Sequence, residues 1–232
     1  MPNKHFALCL RDRLLLPVCQ EGDRCQHRRR NGLLCGAYLD GRGHHARKCN
    51  IGGALDARHD GLRDLGAAAW AACAGVPALT EQRVPEWDRD VLDRDTGLTV
   101  REEAVLDIVT SDPVTGGAVH VDVAVTTACP DDLARLRARA RADGRGAADT
   151  AAEKRRRYNL AGASLVPMAF EDGGRPAEET VAFVRRCGAA AERLGASWGG
   201  PGGQPVTAQL WQEFSTQLQL GNAELVLSAN GG

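Results

Sequence analysis

Two β-branched runs, Val105-Leu106-Asp107-Ile108-Val109 and Val119-His120-Val121-Asp122-Val123-Ala124-Val125, each carry one aspartate in an otherwise apolar stretch. Fourteen residues separate the two acids, and among them Asp112-Pro113 and Gly116-Gly117 supply turn chemistry. The pattern predicts two strands of one hairpin, each offering a carboxylate at a position that would otherwise be buried. Burying an ionised carboxylate is costly unless something compensates, and a divalent cation held between two of them is the usual compensation.

A chain of 232 residues, 43% hydrophobic, can bury one good core with a small appendage. The net charge of −1 excludes a uniformly basic nucleic-acid binder, but the charge is segregated. Four arginines fall between Arg24 and Arg30 and five between Arg135 and Arg145. Each stripe reads equally as phosphate contact or as a solvated helix or loop face. No stretch approaches the roughly 18 apolar residues of a membrane span. Phe6 to Val18 is interrupted by Arg11-Asp12-Arg13, so it reads as neither signal peptide nor anchor. The eight cysteines then read as thiols in a reducing compartment, and five of them lie between Cys9 and Cys49.

Along the chain, residues 1–18 read as a short remnant helix (Phe6, Leu10, Leu14) of something longer, without a partner surface of its own. Residues 19–52 lack apolar periodicity and need a staple. A helix is expected over Ala54–Ala74, and strands over Thr80–Val84, 103–110, 118–127 and Leu165–Phe170. Further helices are expected over Asp131–Ala142, Ala147–Leu160, Ala177–Leu194 (Val181, Val184 and Leu194 inward) and Thr207–Leu220. Residues 53–195 form the expected main domain, 196–206 a linker, and 207–232 a terminal helix and tail. This order indicates a mixed α/β fold.

Cys25, Cys35, His45 and Cys49 are spaced Cys-x9-Cys-x9-His-x3-Cys. Zinc takes four such ligands in a tetrahedron, and a three-residue gap lets His45 and Cys49 converge from one turn. Gly32 stands where a tight Cys-x-x-Cys would need a cysteine, so Cys19, His27 or His44 remain alternative ligands. Four protein ligands leave no open position, which makes the expected zinc structural.

The acidic pair lacks a lysine two residues after Asp122, where Ala124 stands. Lys154, one of three lysines against 26 arginines, is the candidate partner, because a partly desolvated lysine positions or deprotonates water as arginine cannot. A metal on two carboxylates plus a lysine is the equipment of phosphodiester cleavage. Arg58 opens a helix, where it suits a phosphate. Glu81 is a candidate third carboxylate. His120 shares the strand face of Asp122, where a histidine is more often structural than a ligand.

These blocks resemble the restriction-endonuclease-like region at the C-terminal end of non-LTR retrotransposon polyproteins, a branch of the PD-(D/E)XK nuclease superfamily. The resemblance runs from Cys35-Gly36-Ala37-Tyr38 and Gly43-His44-His45-Ala46-Arg47-Lys48-Cys49 through Arg58-His59-Asp60, Glu81-Gln82-Arg83-Val84-Pro85, Leu106-Asp107-Ile108 and Val121-Asp122-Val123. It ends on Lys154…Tyr158 and Leu165-Val166-Pro167, so it spans about residues 20 to 172. Leu106 replaces the family's proline and Ala124 its in-line lysine. The resemblance implies a restriction-endonuclease-like core behind a CCHC-type zinc knuckle. It implies Mg²⁺ or Mn²⁺ on Asp107 and Asp122, with Lys154 as catalytic lysine on the following helix, Tyr158 supporting it, and Arg58 as the arginine before the acids. It further implies DNA nicking that frees a 3′ hydroxyl for target-primed reverse transcription, in the nucleus. Partners would be DNA and the element's own RNA and reverse transcriptase, with Arg28, Arg29, Arg30, Arg155 and Arg156 on phosphates. The alternative is a catalytically inactive nucleic-acid-binding remnant of such an element.

Overall fold

The computed structural model describes residues 3–93, 95–158, 165–198 and 203–232. In chain order it contains α1 (Asn3–Arg13), α2 (His44–Lys48), α3 (Ala54–Ala74), β1 (Leu79–Arg83), β2 (Arg89–Leu92), β3 (Thr99–Glu102), β4 (Val105–Ser111) and β5 (Ala118–Thr126). Then follow α4 (Leu133–Arg139), α5 (Arg145–Arg157), β6 (Leu165–Glu171), α6 (Glu178–Leu194) and α7 (Val206–Ala229). The sheet order is β1-β4-β5-β6, antiparallel except for the parallel β5–β6 pair, which α4 and α5 bridge. The mixed α/β class with a mixed sheet between helices is as expected.

The two apolar runs pair as β4 and β5, in the register Ile108↔Val121, Val109↔His120 and Thr110↔Val119. Their turn is built by Asp112, whose Oδ1 accepts the N–H of Val114 and Thr115, each at 2.9 Å. Gly116 supplies the positive φ of 68° that the turn requires. Side chains alternate between the two sheet faces along β5. Val119, Val121 and Val123 meet Leu62 and Trp70 of α3, Phe183 of α6, and Leu210, Phe214 and Leu218 of α7. On the other face Ala147 and Ala151 of α5 pack on Ala169, with Ala124 beside them. Contacts this small bring α5 close to the sheet.

Three expectations are corrected by packing. The last helix continues past Leu220 to Ala229, because Gly221 is a close-approach residue rather than a stop. A Cβ there would lie 2.5 Å from Arg58 Cγ and 3.2 Å from Arg58 Cα. Residues 1–18 have a partner surface after all, since α1 lies along α7: Cys9 Sγ donates to the Gln219 carbonyl at 3.4 Å and His5 Nε2 meets Glu224 Oε2 at 2.8 Å. Leu194 is exposed in the last turn of α6. The hairpin of β2 and β3, a separate two-stranded sheet, was not anticipated. The expected end of the helix at Leu160, and part of the 196–206 linker, lie outside the described residues.

Gly221→Ala is expected to lower stability by about 1–2 kcal/mol. Overpacking against the Arg58 backbone costs about 1–3 kcal/mol, more than the roughly 1 kcal/mol gained by replacing glycine in a helix. Thermal melting checks it, with a fall of several degrees expected.

Candidate metal centres

Cys25 and Cys35 sit on opposite arms of an irregular hairpin. Cys25 N–H donates to the Ala37 carbonyl at 2.8 Å and Cys35 N–H to that of His27 at 2.7 Å. This pairing does what a Cys-x-x-Cys knuckle would otherwise do, which is why a nine-residue gap suffices. α2 brings His45 and Cys49 to the same point. The Asp40 carboxylate accepts the N–H groups of His44 and His45, each at 3.0 Å, and so fixes the start of that turn.

The four donor atoms all lie within 4.8 Å of one another. Cys25 and Cys49 sulfurs are 4.0 Å apart, Cys49 and Cys35 sulfurs 3.7 Å, and Cys35 Sγ is 3.4 Å from His45 Nε2. Tetrahedral zinc at about 2.3 Å from each sulfur places sulfurs about 3.8 Å apart, whereas a disulfide needs about 2.05 Å. The cysteines are free thiols, and the cluster could hold a zinc ion. The alternative ligands are engaged elsewhere. Cys19 Sγ meets Asn230 Nδ2 at 3.7 Å, His27 Nε2 meets Ser228 Oγ at 2.7 Å, and His44 Nδ1 lies 3.4 Å from Asp40 Oδ1.

The segment is not a free appendage. Val226 and Ala229, at the end of α7, pack with Val18, Leu39 and Ala46 around Cys25 and Cys49. Gln26 N–H donates to the Ala229 carbonyl at 2.9 Å.

One step beyond the Ile108↔Val121 pair, the register sets Asp107 across from Asp122. Asp107 Oδ2 accepts the Val123 N–H at 2.6 Å. Lys154, near the end of α5, donates from Nζ to Asp122 Oδ1 at 2.7 Å. Asp122 Oδ2 is buried and has no hydrogen-bond partner. Burial pushes the Asp122 carboxyl up to about 6, against the pull of Lys154.

His59, on the second turn of α3, also reaches the acids, though no local spacing in the sequence marks it. Its Nε2 lies 3.2 Å from Asp107 Oδ2 and its Nδ1 3.2 Å from Asp60 Oδ1. The bond to Asp107 raises His59 to about 9, over the opposing effect of burial. Burial works to raise Asp107, but His59 and the Val123 N–H hold it below its ordinary range. The carboxylate pair is therefore flanked by Lys154 from the α5 face and His59 from α3. By linkage, the His59 bond contributes in full below its ordinary value of 6.5 and is lost as pH rises through about 9. The raised Asp122 has the same sign in a lower window: the stability of the metal-free fold falls as pH rises from 3.8 to about 6.

Other candidates are placed differently from expectation. Arg58 does not join the acids; it is buried under α7 and donates to Asn222 Oδ1 at 2.8 Å, while Asn222 Nδ2 donates to the Asp172 carbonyl at 2.7 Å. Burial lowers Arg58 to about 10. Glu81 is bracketed by Thr80↔Ile108 and Gln82↔Leu106, opposite Asp107, in a strained backbone with φ of 54°. Its exposed carboxylate pairs with Arg63, which also binds Asp60 at 2.9 Å. Tyr158 packs on Trp87 at 5.5 Å between centroids, and His120 on the same indole at 4.4 Å. Burial raises the Tyr158 hydroxyl to about 12, so it holds its proton.

Arg155 is ion-paired to Glu179. Arg156 lines a groove of about 520 Å³ with Lys154, Arg157, Arg89 and Glu102. Arg28, Arg29 and Arg30 line another of about 760 Å³. Among the described residues no helix is long and apolar enough to cross a membrane. Comparison of the chain with protein-family models, with curated proteins and with solved structures finds no match.

Proposed function

We propose that this chain is a metal-dependent DNA endonuclease with a restriction-endonuclease-like core, nicking one strand to leave a 3′ hydroxyl, as in non-LTR retrotransposons. The observation that carries the proposal is the convergence of Asp107, Asp122 and Lys154 from two adjacent strands and the following helix, with one Asp122 oxygen buried and unpartnered. The Lys154 contact supports this reading, although Ala124 stands where an in-line lysine would be.

The donor set suits a hard cation. Among the described residues no third His, Cys, Asp or Glu converges with the two aspartates as tightly as in the Cys₃His cluster. Mg²⁺ is ordinarily held by one or two carboxylates, with waters and substrate phosphate completing its shell. Bound there, Mg²⁺ or Mn²⁺ would polarise the scissile phosphate and acidify water. Lys154 holds Asp122 ionised and presents its ammonium where it can orient the attacking water. His59 and the Val123 N–H fix the rotamer of Asp107 and keep it anionic.

The test is nicking of supercoiled plasmid by the zinc-loaded chain in Mg²⁺ or Mn²⁺. Conversion to open circle is expected with either ion, with ends that a polymerase extends. It is expected to be absent in EDTA and in Asp107→Ala and Asp122→Ala. Equal cleavage by wild type and both variants would remove the site. No cleavage by any of them, with salt-sensitive DNA binding retained, would leave the inactive remnant.

A further inference from the structure

Arg28, Arg29 and Arg30 occupy the tip of the hairpin whose arms carry Cys25 and Cys35. All three are exposed, and among the described residues none is ion-paired. With Asn31, Asn50 and Asp56 of α3 they line the 760 Å³ groove. Unlike Arg58 or Arg155, which are bonded to Asn222 and Glu179, these guanidiniums meet no side-chain acceptor among the described residues, and Arg28 makes only a long 3.4 Å bond from Nη1 to the Gly32 carbonyl. Adjacent planar forks, with two side-chain amides in the same lining, suit phosphate oxygens. The groove is much larger than a single phosphate, and an open trough lined this way fits a chain of them.

Helix α3 relates the groove to the acids. His59 and Asp60 follow Asp56 by three and four residues, so they share its side of the helix, one turn on. His59 is the side chain that meets Asp107. At 1.5 Å rise per residue, the stretch from Gly53, which lines the groove, to His59 spans about 9 Å, or two to three base steps at 3.4 Å each.

We propose that the arginine groove binds the backbone phosphates of the strand that Asp107 and Asp122 cut, two to three nucleotides from the scissile phosphate. The zinc segment is thereby a positioning device for the substrate. The position relative to the cut rests on the nuclease reading; the phosphate site itself does not.

The experiment measures binding of the zinc-loaded chain to a fluorescein-labelled 20-base-pair DNA duplex in Ca²⁺, across a salt series. The Arg28→Ala/Arg29→Ala/Arg30→Ala variant is expected to bind at least tenfold more weakly. Its slope of log Kd against log salt should fall by about two to three, near 0.9 for each lost phosphate contact. Its zinc content and melting temperature should not change, and an Arg185→Ala/Arg193→Ala control on α6 should bind as wild type. Neutral methylphosphonate linkages placed one at a time around the nick then map the contact. Weakening two to three nucleotides from the nick, in wild type and not in the triple variant, is the expected result. An unchanged salt slope in the triple variant would overturn the phosphate site, whether or not the protein nicks. A weakening mapped more than five nucleotides away would overturn the register and leave the nuclease reading intact.

Discussion

Lys154→Ala is expected to lower the plasmid-nicking rate by 10²- to 10⁴-fold, the usual contribution of a positioned acid–base group. Lys154→Arg should not restore it, because a planar fork cannot replace a compact ammonium 2.7 Å from Asp122 Oδ1. The alanine substitution also removes the group that opposes the burial of Asp122. Its carboxyl, already near 6, should move higher, and the acid limb of the rate–pH profile should shift up with it. Steady-state kinetics over pH 5 to 8 reads both effects. An alanine variant within threefold of wild type would show that Lys154 only balances charge.

Zinc removal is expected to produce the largest structural effect. The small core beside the cluster consists of Val18, Cys19, Cys25, Leu39, Ala46 and Cys49, with Val226 and Ala229 of α7. Two of those eight are ligands, and little else there excludes water. Structural zinc supplies about 10–16 kcal/mol in small zinc-dependent domains, comparable with the roughly 5–15 kcal/mol net stability of a whole protein. Chelation, Cys35→Ser or Cys49→Ser should therefore release zinc and lower the melting temperature by more than about 10 °C. Hydrogen-exchange protection should disappear over residues 23–49 and the last turn of α7, while Trp70 and Phe170 stay buried in the main core. A metal-free protein with unchanged melting and protection would refute a structural ion.

What the sequence revealed depended on whether a residue's partner is local. The β4–β5 hairpin was legible because alternation, β-branching and Gly116-Gly117 all act within one short stretch, and the observed strands fall within about two residues of the expected ones. The β2–β3 hairpin was not. Its pairs Arg89↔Glu102 and Asp90↔Arg101 are charged on both strands, and most of its residues are exposed, so no apolar period marks it. Gly221-Asn222 looks like a helix end until Arg58 is seen lying across it.

The two candidate metal centres differ in the same way. Lys154 stood out by composition, as a lone lysine on an arginine-rich helix. Arg58 and His59 are neighbours, but one residue of helix is about 100° of rotation. Arg58 accordingly turns to Asn222 on α7 and His59 to Asp107 on β4. Only the packing of α3 between α7 and the sheet face decides which of the two reaches the acids. The Cys₃His cluster was readable from spacing, and the hairpin bonds that make a nine-residue gap workable were not.

The claim on which the rest depends is that Asp107 and Asp122 together bind a divalent cation. Titration of the zinc-loaded chain with Mn²⁺, followed by electron paramagnetic resonance of the free ion, measures this without turnover. One Mn²⁺ should bind per wild-type chain at pH 7.5 and none at that site in Asp107→Ala or Asp122→Ala. Wild-type affinity should weaken as pH falls below about 6, where a proton competes for Asp122. Equal Mn²⁺ binding by wild type and both variants would contradict the account.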